Sequence, residues 1–163
     1  MSKFIVHPLT MFYSTHGEIS ALQTYNAFVK EGLRDNFYVT GFYDNGESKS
    51  HIKSMTPVNC DKYYAVKISG ASIQHNTIYV FENQRFLLES GETISVKDLK
   101  HDMLVVSLNG KMLIELVELC DTPALFYDVE TEDFMGNIYM TNIILMQIED
   151  EVSENNQGFF PEF

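Results

Sequence analysis

Cys60 and Cys120 are the two cysteines of the chain, and a thiol can act as metal ligand, nucleophile or half of a disulfide. They lie far apart in sequence, with no CxxC spacing and no clustered His, so a tetrahedral zinc site would lack ligands. Both are expected as reduced thiols of a cytoplasmic product, with no metal and no cofactor. Asp128 stands near Glu130 and Glu132 at strand spacing, which predicts carboxylates on a strand surface rather than a paired acid and base. No group of polar residues converges in sequence as a small-ligand site requires, although a β-barrel binding module stays open as a third reading.

The charge balance narrows the partners. The 163 residues carry 23 acidic against 11 basic side chains, a formal net charge of −12. Such a surface repels phosphate backbones and anionic headgroups, so neither nucleic acid nor membrane is an expected partner. The opening MSKFIVHPLTMF has one Lys, an apolar run broken by His7 and Pro8, and no small-residue cleavage site, unlike a signal peptide. No apolar run approaches the roughly 20 residues that span a bilayer, and a soluble chain is expected.

From Ser20 the apolar residues Leu22, Tyr25, Phe28, Val29 and Leu33 fall mostly three and four apart, which predicts one helix capped by Ser20 and ended near Gly32. Everything downstream has the composition of short strands: 37–42, 50–54, 63–69, 77–81, 85–88, 104–108, 112–117, 124–130 and 138–148. Turn residues separate them at Tyr43-Asp44-Asn45-Gly46, Glu89-Ser90-Gly91 and Asn109-Gly110, the last predicting a hairpin. Many short strands at regular spacing point to a β-sandwich or a curled, barrel-like β fold. After Glu149 the chain turns acidic and polar, then ends in Gly158-Phe159-Phe160-Pro161-Glu162-Phe163. These aromatics either fold back on the domain or anchor another chain.

Two segments together resemble the Hint superfamily, which includes inteins and the Hedgehog autoprocessing domain. In Ser72 to Val106, a strand enters a turn that in the family reads Thr-x-x-His. An apolar strand, a Gly turn and an "L-x-x-G-D" segment follow, with Phe86, Leu87, Leu88, Gly91, Val96, Leu99 and Asp102 in register. In Phe126 to Gln147, Tyr127, Asp128, Val129, Tyr139, Asn142, Ile144 and Leu145 match the family's closing block "YD … N-Y-x-x-N-G-I-L-V-H-N". The opening Ser14-Thr15-His16-Gly17-Glu18-Ile19 lies over the family's "C-x-x-G" start, which would put Ser14 at the nucleophile.

Bond breaking of the family's kind needs a nucleophile, donors for the oxyanion and a proton source for the departing amine. The resemblance places Phe81 and Gln84 where the family has Thr and His. A Phe ring offers no useful hydrogen bond, and a Gln amide does not titrate near neutral pH. Without a gap, Gln147 and Ile148 replace the closing His and Asn; with the Gly deleted, Met146 and Gln147 take those places. Neither register supplies a His or a downstream nucleophile, so splicing is excluded on residue type. Asp128 falls where the family often tunes its two cleavage steps. His75, in Ser72-Ile73-Gln74-His75, mimics Thr-x-x-His but has the wrong spacing to Leu99 and is expected in a loop. The connector between Val106 and Phe126 has no room for an endonuclease.

The expectation is therefore an all-β, Hint-type horseshoe of short, mostly antiparallel strands with one short N-terminal helix. It divides into an N-terminal arm over 1–13, a β domain over 14–148 and an acidic, aromatic tail over 149–163. Ser14, Phe81, Gln84, Asp128 and Gln147 are the degenerate family positions, and no catalytic residue is expected. The expected role is that of an adaptor binding other protein subunits through Phe4, Ile5 and Val6 of the arm and Phe159, Phe160 and Phe163 of the tail. The resemblance extends this to a virion component of a tailed phage in the neck, tail or baseplate. The alternative is slow self-cleavage in which Ser14 releases residues 1–13.

Overall fold

The computed structural model describes residues 2–43, 46–70, 73–132 and 138–148. Two short strands, β1 (Ser2–Val6) and β2 (Met11–Ser14), open the chain, and β3 (Gly17–Ser20) completes a hairpin with β2. A helix α1 (Ala21–Tyr25) follows and runs into a π-helical turn over Asn26–Lys30. Ser20 caps α1 reciprocally: Gln23 N donates to Ser20 Oγ at 3.1 Å, and Ser20 N donates to Gln23 Oε1 at 3.0 Å. That exchange satisfies two helix-end groups at once, which is why this short helix starts where it does. Ala21 of α1 and Phe28 of the turn are buried, whereas Leu22, Val29 and Leu33 are exposed.

The remaining strands are β4 (Phe37–Tyr43), β5 (Gly46–Cys60), β6 (Tyr63–Gly70), β7 (Ile73–Phe81), β8 (Arg85–Leu87) and β9 (Thr93–Ser95). After them come β10 (Leu104–Ser107), β11 (Gly110–Cys120), β12 (Ala124–Thr131), β13 (Ile138–Thr141) and β14 (Ile144–Gln147). The described pairings are antiparallel and order the strands β3-β2-β4-β5-β12-β1-β7-β6-β11-β10-β14-β8-β9. Strand β13 bonds both β14 and β4, tying together two distant parts of this order and curling the sheet on itself. The inner face carries alternate residues, such as Val66 and Ile68 of β6, Val105 of β10, and Ile144 and Met146 of β14. With Phe12, Phe28, Phe86 and Tyr139 they form one core.

The residues expected to stand off the domain as an N-terminal arm instead form an inner strand. β1 pairs with β12 from Ser2↔Thr131 to Val6↔Tyr127, and with β7 through Val6↔Val80. Phe4 and Val6 are 3% and 4% exposed, so the apolar character of this flank is that of core. They are not available as partner anchors. His75, expected in a loop, falls within β7. The expected single strand over 138–148 is a hairpin broken at Asn142 and Ile143, whose φ values are 48° and 64°. Two consecutive left-handed residues between Thr141 and Ile144 make a tight hairpin turn. Ile143 stands where the ungapped resemblance puts the Gly of N-G-I-L. Asp102, expected in register with L-x-x-G-D, falls on its Gly when counted from Leu99, one place before the Asp, and takes φ 74°.

Candidate functional site

Of the degenerate family positions, Gln84 lines a crevice between β1, β7, β13 and β14. Ile5, Val6, Val80, Gln84, Tyr139 and Met146 are among its walls, and the space they leave is about 10 Å³, about enough for one water. Strand β7 ends at Phe81, and Gln84 N donates back to Phe81 O at 3.0 Å to close the turn into β8. This turn aims Gln84 inward, where it is 2% exposed.

Every polar atom of the Gln84 amide has a partner. Nε2 donates to Gln147 O at 2.8 Å and to Arg85 O at 3.0 Å, and Oε1 accepts from Tyr139 Oη at 3.2 Å. Burial pushes the Tyr139 phenol well above its ordinary pKa, so it stays protonated and serves as a donor. Arg85 fixes the neighbouring strand: its Nε donates to Thr93 Oγ1 at 3.1 Å and to Gln147 Oε1 at 3.2 Å, and its Nη2 donates to Thr93 O at 3.0 Å. Gln84 and Gln147 are therefore brought into direct contact, with Phe81 half-buried one turn away. Asp128 sits on β12 opposite Ile5 of β1. Sequence reading missed Arg85 and Thr93, and took Tyr139 only as a framework match; the Arg next to Gln84 was the available signal.

Ser14 lies elsewhere, at the end of β2. Its Oγ donates to Gly17 O at 2.8 Å and accepts from His16 N at 3.0 Å, and the residue is 6% exposed. Ser107 repeats the arrangement at the β10–β11 turn: Oγ donates to Gly110 O at 2.7 Å and accepts from Asn109 N at 3.2 Å. Gly17 and Gly110 share φ near 110°, at 113° and 109°, a conformation that suits a residue without Cβ. The Ser-x-x-Gly spacing thus builds a hairpin turn in both places, and the hydroxyl is engaged in holding it. Cys60 is half-buried, and burial with Glu82 and Asp61 nearby pushes its thiol pKa up, away from the nucleophilic thiolate. Phe159, Phe160 and Phe163 lie outside the described residues. Among the described residues no helix is long and apolar enough to cross a membrane.

Neither a scan against protein-family models nor a search of curated proteins finds a match. Solved structures do match. The bacterial intein-like domain from Clostridium thermocellum superposes with a TM-score of 0.64 at 14% identity, over 91% of this chain and 99% of that one. The TvoVMA intein gives a TM-score of 0.69 at 13% identity, over 89% and 97%. The PabCDC21-1 intein gives 0.65 at 14% identity, over 88% and 98%. Each match spans nearly the whole of both chains, so the likeness is to the entire architecture: the chain has an intein-like fold of the Hint type.

Proposed function

We propose that this chain is a non-catalytic protein–protein interaction scaffold on an intein-like fold. The observation that carries the reading is Gln84. Where the resemblance calls for a proton-transferring imidazole, the chain holds a buried amide that cannot titrate and whose donors and acceptor are already engaged. Around it the walls are largely apolar and the space is about that of one water, which leaves little room for a reacting carbonyl. A general acid or base contributes roughly 10²–10⁴-fold in such reactions, and the side chain that bonds Gln84, Tyr139, is a phenol that burial keeps protonated.

Adaptor duty in a larger assembly, such as the neck, tail or baseplate of a tailed phage, is the specific form of this proposal. Intact-mass measurement after prolonged incubation, with and without hydroxylamine, tests the non-catalytic part. The expected result is the full-length mass throughout. A product beginning at Ser14 would show instead that Ser14 attacks the bond before it, which is the self-cleaving alternative.

A further inference from the structure

A second, larger depression lies beside the helical segment. Phe28, Arg34, Asp35, His51, Ile52, Lys53 and Glu132 enclose about 420 Å³ there, open to solvent. Its floor is apolar through Phe28 and Ile52, both buried. Arg34 Cζ sits 4.7 Å from the centroid of the Phe28 ring, which holds the guanidinium at the rim by a cation–π contact. Leu22, Val29 and Leu33, on the same segment, are 42–44% exposed, so an uncovered apolar surface adjoins the depression.

The distribution of charge says what fits there. The first 111 residues hold all 11 Lys and Arg and 11 acids, whereas 112–163 hold the other 12 acids and no Lys or Arg. The lining itself holds two permanent cations, Arg34 and Lys53, beside two acids, Asp35 and Glu132. The segment 149–163 carries five acids and three Phe, combining negative charge with aromatic bulk. A rim with two permanent cations above an apolar floor is complementary to that combination, with Asp35 and Glu132 limiting the fit to certain placements of the carboxylates.

The connection is long enough. From Gln147 the register steps to Ile138, then to Phe42; four residues along β4 lead to Tyr38, which faces His51. At roughly 4.8 Å per strand step and roughly 3.3 Å per residue, that path is at most about 28 Å. The ten residues 149–158 span up to about 33 Å before Phe159 is reached. Tethering of this length supplies a local concentration in the millimolar range, which favours the chain's own segment over another molecule's.

We infer that the segment Glu149–Phe163 binds within its own chain in the Phe28–Arg34–Lys53 depression, its phenylalanines on Phe28 and Ile52 and its carboxylates against Arg34 and Lys53. The inference does not depend on whether the fold cleaves.

Zero-length carbodiimide coupling of the full chain, mapped by mass spectrometry, tests it. The expected product joins Lys53 to Glu154 or Glu162 in the monomer band, at about fivefold the yield of tail links to Lys97 or Lys111. Changing Phe159, Phe160 and Phe163 together to Ala should lower the Lys53 link about fivefold, with an unaltered circular dichroism spectrum. Equal yields at all lysines, or no response to the triple substitution, overturns the inference. A Lys53–tail link confined to the dimer band also overturns it, because the occupant is then the segment of a second copy.

Discussion

Two concave places among the described residues differ in kind. Around Gln84 the space is about 10 Å³ and the polar groups bond one another; beside Phe28 and Arg34 it is about 420 Å³, open and ringed by charge. The first lies where the resemblance locates chemistry, yet it is packed like core. The second lies where the resemblance locates nothing. Under the proposed non-catalytic reading, the difference is that between an outline of a reactive centre packed for stability and a separate surface left open for recognition.

If the Gln84 region is structural, breaking it should cost the most. Gln84→Leu removes both donors and the acceptor, leaving Gln147 O and Tyr139 Oη buried without this partner; we expect a loss of about 3 kcal/mol in urea unfolding. A loss under about 1 kcal/mol would mean that the network is incidental. The two serine turns come next. Ser14→Ala and Ser107→Ala should each cost about 1 kcal/mol, equally, because each hydroxyl makes the same pair of bonds. A much larger effect at Ser14, or an altered intact mass only there, would restore its candidacy as a nucleophile.

At the open depression, Arg34→Ala should cost only about 0.5 kcal/mol, the worth of an exposed cation–π contact. A cost as large as that of Gln84→Leu would erase the contrast between sealed and open regions. The smallest expected effect is at His7. Its ring lies 4.7 Å from that of Tyr79 and 5.2 Å from that of Phe126, and its Nδ1 accepts from Leu9 N at 3.1 Å. Burial lowers its pKa below 6.5, so the folded state prefers the neutral ring. That contribution is complete above the unfolded value of about 6.5 and is lost as pH falls from there to the folded value. His7→Phe should accordingly lose less stability than the parent between pH 7 and pH 5 in parallel denaturation curves; identical slopes would show that His7 makes no such contribution.

Much of this was legible in the sequence, and the failures have physical causes. The strands at 63–69 and 124–130 are clear because their β-branched and aromatic residues are flanked by strong turns. The Asn109-Gly110 hairpin exists, with Leu108 and Asn109 between the paired Ser107 and Gly110. The N-terminal strand was not legible, because its partners Tyr127 to Thr131 lie more than a hundred residues away. An apolar run such as Phe4-Ile5-Val6 has the same composition whether it is a free flank or an inner strand. Ser14 was hard for the opposite reason: a purely local turn reproduces a short motif. The matching Ser107-Leu108-Asn109-Gly110 was the clue that Ser-x-x-Gly here shapes backbone.

The inner position of β1 governs how the polypeptide matures. Residues 2–6 find their main neighbours only after residue 131 has been made, so during synthesis β1 waits with its amide edge exposed while later hairpins assemble from nearby sequence. Completion of the native sheet is thus a late, long-range event. A bulky domain placed directly ahead of β1 would burden that step far more than the same domain after Ile148.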